Sequence, residues 1–106
     1  MKARYILAPE AALDLVEIWR HIKEKSGREI ADKAESVIRE KLVFLAANPG
    51  GGHWREDLTY EPVKLFPVYS YLIVYQPATK PLQVVAILHG NRDVARLLKD
   101  RLFKTN

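Results

Sequence analysis

Two apolar runs stand close together in the second half of this chain, Tyr71-Leu72-Ile73-Val74-Tyr75 and Val84-Val85-Ala86-Ile87-Leu88, with the turn-forming segment Pro77-Ala78-Thr79-Lys80-Pro81 between them. Short runs rich in β-branched and aromatic residues read as strands, and unbroken apolarity marks strands buried on both faces. The turn predicts an antiparallel pair, Tyr69 to Gln76 and Leu82 to His89, at the centre of a sheet covered by helices on one side. A strand from about Pro62 to Pro67 precedes them. Alternation of Tyr5 and Leu7 against Arg4 and Ile6 gives a further short strand ending at Ala8.

The segment between these strands carries helical periodicity. Pro9 suits the first turn of a helix, where its missing N–H has no partner to lose. Leu15, Ile18, Trp19 and Ile22 then recur at helical spacing, with Glu10, Asp14, Glu17, His21 and Glu24 on the other side. Gly27 can take the left-handed conformation that closes this helix. A second helix runs from about Arg28 to Ala47 with Ile30, Ala34, Val37, Ile38, Leu42 and Leu45 as its apolar stripe, and Asn48-Pro49 ends it. Helices joined so closely form an antiparallel hairpin. Asn91 is placed to cap a final helix over Val94, Leu97, Leu98 and Leu102, residues that equally suit a docked extension.

The order β, α, α, β, β, β, α specifies an α+β fold: an N-terminal strand and helical hairpin packed on a mainly antiparallel four-stranded sheet, with a C-terminal helix or extension. At 106 residues the chain, 1–106, fits a single domain. There is no cysteine, which excludes disulfides, thiolate nucleophiles and cysteine-based zinc sites. His21 and His53 lack a third ligand at metal-site spacing, so neither a metal nor any other cofactor is expected. No run approaches the ~20 apolar residues of a membrane span, and the cytoplasm is the default location. Charge is uneven: from Lys80 onward Lys80, Arg92, Arg96, Lys99, Arg101 and Lys104 face only Asp93 and Asp100. That excess of +4 equals the net charge of the whole chain and suits either a solubilised surface or an anionic partner for this end.

Several pieces, in this order, resemble the ParE branch of the ParE/RelE toxin superfamily of bacterial toxin–antitoxin pairs. They are Leu7-Ala8-Pro9-Glu10-Ala11 before Asp14-Leu15 and Ile18-Trp19, then Leu45-Ala46-Ala47-Asn48-Pro49-Gly50. Gly52-His53, Arg55-Glu56-Asp57-Leu58-Thr59 and Pro62-Val63 follow, and the two apolar runs end in His89-Gly90-Asn91-Arg92-Asp93. The resemblance implies a RelE/ParE-like fold and a plasmid-stabilising growth inhibitor neutralised by a cognate acidic antitoxin, ParD-like with a ribbon-helix-helix DNA-binding part. It implies DNA gyrase as the target in ParE-like members, and ribosome-dependent mRNA cleavage in RelE-like relatives.

Binding to gyrase without catalysis assigns the target contact to Arg92, Arg96, Lys99 and Arg101. Direct nucleic-acid binding is the less favoured use of that charge. Metal-free RNA cleavage would instead need a base, an acid and cations around the phosphate, and His89, Arg55, Lys64, Arg92 and Tyr71 or Tyr75 are the available groups. The absence of a tyrosine after Tyr75 departs from the RelE-like pattern. His89 has a structural alternative, closing the core edge with one ring nitrogen bonded to backbone. Arg92 and Asp93 can likewise form a local ion pair or cap. Leu13, Val16, Val43 and Phe44 flank the helical stripes and either broaden the buried face or form a groove for the antitoxin.

Overall fold

The computed structural model describes residues 4–103, so Lys104 lies outside it. A strand Tyr5–Leu7 (β1) leads into helices Pro9–Ser26 (α1) and Arg28–Ala47 (α2). A single turn of 3-10 helix, Pro49–Gly51, and an irregular loop then reach strands Lys64–Val68 (β2), Tyr71–Gln76 (β3) and Leu82–His89 (β4), and helix Val94–Leu102 (α3) follows. The sheet order is β1-β4-β3-β2, with β1 parallel to β4 and the other pairs antiparallel. This is the expected α+β architecture with a mainly antiparallel four-stranded sheet.

One residue, Gly27, joins the two helices. Its φ of 91° and ψ of 167° lie in a region essentially restricted to glycine, which allows the chain to reverse without a longer loop. Ala11, Leu15 and Ile18 of α1 and Ile38, Leu42 and Leu45 of α2 bury against Ile73, Tyr75, Val84 and Ile87 of the central strands. Two details of the predicted stripes change. Ile30 is 52% exposed and Ala31 takes the core position instead, because the buried set of α2 is phased one residue later. Asp14, placed among the solvent-facing acids, has a side chain only 15% exposed.

The second face of the sheet is covered too, which corrects the one-sided expectation. Val94 and Leu98 of α3 pack on Leu65, Val74, Ala86 and Leu88, with Val63 of the preceding loop. β4 serves both faces by the ordinary alternation of a strand, and the phase of that alternation changes where its register against β3 slips: Tyr75 pairs with Val84 but Val74 pairs with Ala86. Val85 is the extra residue of this bulge, and it switches the faces of the residues beyond it. Leu82 and Val84 therefore share the hairpin face with Ile87.

Tyr75 fixes the loop to the sheet. Its buried hydroxyl donates to the Pro49 carbonyl at 2.7 Å and accepts from the Gly52 N–H at 2.8 Å. Gly52 has no alternative here, since a Cβ would lie 2.6 Å from the Tyr75 oxygen and 2.9 Å from the Leu65 carbonyl. His53 then makes a reciprocal backbone bridge with Leu65, covering part of the β2 edge.

Candidate functional site

The C-terminal arm begins at a capped turn. The Asp93 carboxylate accepts from the Arg96 N–H at 3.3 Å, so Asp93 caps α3 rather than Asn91, two residues earlier. Asp93 thus supplies the local cap; among the described residues it makes no ion pair with Arg92. With Val94 and Leu98 holding the inner face, Arg92, Arg96 and Lys99 are exposed and their side chains have no ion-pair or hydrogen-bond partner among the described residues.

Arg101 differs from the other three cations. Its side chain is 18% exposed and turned inward, with Nη1 and Nη2 donating to the two Asp14 carboxylate oxygens at 2.9 and 2.6 Å. Nε lies 3.4 Å from Glu10. The hydrogen bonds to Asp14 push its pKa still higher, so the arginine keeps its charge at any working pH. Arg101 therefore anchors the arm while Arg92, Arg96 and Lys99 present charge outward.

Of the residues considered for RNA cleavage, Tyr71, His89 and Arg92 line one depression together, whereas Arg55 and Lys64 lie outside it. Arg55, Arg92 and Tyr71 share an open cleft of about 510 Å³ bounded by the β2–β3 turn and the β4–α3 connection. Arg55 already forks onto Asp57, with Nε–Oδ1 and Nη2–Oδ2 distances of 2.9 and 2.7 Å, and these bonds lower the Asp57 pKa. Lys64 lies opposite Tyr75 in the ladder, whereas Tyr71 lies opposite Val68, so four residues or ~13 Å of strand separate Lys64 from that end. Its Nζ sits 5.0 Å from the Trp54 ring centre and 3.4 Å from the Gly50 carbonyl.

His89 ends β4 with its ring edge-on to Tyr71 at 5.1 Å, and its Nδ1 accepts from the Asn91 N–H at 3.1 Å. It lines depressions other than the Arg55 cleft. Burial pushes the pKa of both Tyr71 and Tyr75 up. Tyr75 is moreover committed to the Pro49–Gly52 latch.

The four apolar residues on the hairpin do not form one patch. Val16, 48% exposed, lines a depression of about 280 Å³ with Leu7, Trp19 and Arg39, beside the edge strand β1. Leu13, two-thirds exposed, lies one turn before it on α1. Val43 of α2 is also exposed and follows Arg39 by one helical turn. Phe44 packs instead on Phe66 of β2 with ring centres 5.9 Å apart, at the opposite edge of the sheet.

Two contributors were not legible in the sequence. Asp14 reads as one more surface acid, although its spacing of three from Ala11 and four from Ile18 places it at the border of the buried stripe. Tyr69 reads as the start of a strand, yet it sits in the β2–β3 turn with a φ of 54°, exposed at the mouth of the cleft. No periodicity signal marks a strained turn residue.

Comparison with known proteins agrees with this arrangement. Residues 5–94 match the family described as "ParE toxin of type II toxin-antitoxin system, parDE". Toxin ParE1 of Mycobacterium tuberculosis is 32% identical over 101 residues, covering 92% of this chain and all of that protein. In the "Chromosomal ParDE TA system from P. aeruginosa", a chain with 25% identity superposes with a TM-score of 0.71, over 83% of this chain and 96% of that one. The chain belongs to the ParE family, the toxins of type II toxin–antitoxin systems.

Proposed function

We propose that this toxin arrests growth by binding DNA gyrase through the outer face of α3, without a catalytic step. The observation that carries the reading is the exposed row Arg92, Arg96 and Lys99, without side-chain partners among the described residues and set beside or on a helix docked by Val94, Leu98 and Arg101. Unpaired cations on a fixed scaffold favour an acidic protein surface, because no internal ion pair must be broken on binding. Binding is favoured over mRNA cleavage because general acid–base chemistry requires its groups within hydrogen-bond reach of one substrate. Of the other candidate groups His89 has only Arg92 and Tyr71 beside it, while Arg55 is engaged by Asp57 and Lys64 lies at the other end of the strands.

The antitoxin of this reading is ParD-like, with a ribbon-helix-helix DNA-binding part and an acidic segment that folds onto the toxin. The depression beside β1 suits an apolar helix face, with Leu13, Val16 and Val43 at its margins. Phe44 would join the interface only if the segment continued across α2.

A supercoiling assay with purified gyrase tests the proposal. The intact toxin is expected to inhibit supercoiling, and the variant Arg92→Ala/Arg96→Ala/Lys99→Ala to lose inhibition. Gyrase that remains fully active with the intact toxin overturns the target assignment.

A further inference from the structure

A second cavity, of about 330 Å³, opens between the closed end of the helical hairpin and the β2–β3 turn. Tyr69, Ser70 and Tyr71 line both it and the Arg55–Arg92 cleft, and so partition the two. Ile22, Ile30 and Ala34 give its helical wall an apolar strip. Among the described residues the charged and imidazole groups that line it are all bases, His21, Lys25, Lys33 and His89, with no carboxylate. His21, Lys25 and Lys33 make no hydrogen bond or ion pair among the described residues.

Bases of one sign around an apolar wall focus the electrostatic field and concentrate counter-ions. Two further observations coincide here. Ile30, a large aliphatic residue left half exposed by the phasing of α2, is accounted for as part of this wall. Tyr69 reaches the cavity from a backbone conformation that costs an aromatic residue energy, and such strain concentrates at binding sites. The volume is near the lower end of small-molecule pockets, which run from about 300 to 1,000 Å³, so one ring system fits better than a peptide.

We propose that this cavity binds a small organic anion with a flat apolar body and a single acid group. The body lies against Ile22, Ile30 and Tyr69, and the acid group, a carboxylate, sulfonate or phosphate monoester, is directed to Lys25 and Lys33. This site is separate from the arm assigned to gyrase, and its test does not depend on toxicity.

The probe is anilinonaphthalene sulfonate, followed by its fluorescence with the intact chain. Saturable binding is expected, and Lys25→Ala/Lys33→Ala should weaken it roughly tenfold or more, as removal of charge-assisted contacts does. Both lysines are exposed, so an unchanged melting temperature should accompany the loss. Ile30→Asp, which puts a carboxylate on the wall, should also abolish binding. The uncharged parent phenylnaphthylamine should bind much more weakly than the sulfonate. A double lysine variant that binds the sulfonate as the intact protein does, or a neutral probe that binds equally well, overturns the proposal.

Discussion

Asp14 of α1 and Arg101 of α3 close a bidentate ion pair that ties the first helix to the last across the edge of the sheet. The same carboxylate accepts the Ile87 N–H at 3.0 Å. That third bond has a topological cause. β1 pairs with β4 only as far as Leu7–Val84, so further along β4 an amide on that side finds no strand partner and a helix side chain takes the role. Asp14 thus finishes a hydrogen-bond ladder and docks the arm at once.

The pair should be felt in stability. Removing one partner of a charged, largely buried hydrogen bond costs about 1–3 kcal/mol, so Arg101→Ala should lower unfolding stability by that amount in urea melts. Asp14→Ala should cost more than Arg101→Ala, because it orphans the Ile87 amide as well as the guanidinium. Asp14→Asn, which keeps an acceptor for that amide, should fall between intact protein and Asp14→Ala. Equal losses for both alanine variants would show that the Ile87 bond contributes nothing.

Alkaline pH should destabilise the fold through its buried phenols. Burial raises the pKa of Tyr71 and Tyr75, so the folded state favours their neutral forms. Their contribution is complete below the unfolded value of about 10 and is lost as pH climbs through the raised folded values. In an ultraviolet titration these two should ionise above the ordinary phenol value. Tyr75→Phe should remove one late phenol and, by unpairing Pro49 and Gly52, cost roughly 1–3 kcal/mol at neutral pH. Its remaining stability should then fall less steeply above pH 10 than that of the parent.

Two glycines with equally open surroundings should respond differently to a methyl group. Neither Gly27 nor Gly50 has an atom within 4 Å of a built Cβ, but only Gly27 has a positive φ. Gly27→Ala should therefore cost about 1–3 kcal/mol through backbone strain alone, with Gly50→Ala close to neutral. Thermal melts of the two variants separate conformational cost from packing. Similar melting temperatures would refute the reading of Gly27 as the obligatory hinge of the hairpin.

The central strands were legible because their continuous apolarity admits little else, and the hairpin because its apolar residues keep helical spacing over two long segments. Pattern gives the face of an element but not the partner waiting there. Ile30 and Ala31 adjoin, and hydrophobicity favours the wrong one; only the packing phase of Ala34, Ile38 and Leu42 selects alanine. Asn91 and Asp93 are both good caps two residues apart, and the helix start decides between them. The bulge at Val85 hides within an unbroken apolar run, where a change of face leaves no trace. For the site, charge counting located the basic arm but treated Arg101 as equivalent to its neighbours, because its carboxylate partner lies 87 residues away in sequence.

The antitoxin groove gives a charge-reversal test. Val16→Asp places an acid on the margin of the depression beside β1, where an acidic, apolar segment is proposed to dock. Val16 is about half exposed and outside the core, so stability should change by no more than about 0.5 kcal/mol. Co-purification with the antitoxin should nevertheless fail, and toxicity should persist when both proteins are expressed. Phe44→Asp should weaken the complex less, since Phe44 faces β2 at the other edge. A Val16→Asp toxin still fully neutralised by its antitoxin would move the interface elsewhere.

The arm itself separates contact from support. Arg92, Arg96 and Lys99 have no side-chain partners among the described residues, so changing all three to alanine should leave the urea midpoint nearly where it was, within about 0.5 kcal/mol per site. Growth arrest should disappear all the same, because the charge that meets the target is gone. Arg101→Ala predicts the opposite proportion: a clear loss of stability, with toxicity falling only as far as α3 loosens from Asp14. Lowering the temperature should then restore toxicity to Arg101→Ala by refilling the docked state, and should restore none to the triple variant. Growth curves at two temperatures, read beside urea melts, distinguish these outcomes. A triple variant as poisonous as the intact chain would remove α3 from the target interface and make the Arg55 cleft the next surface to test.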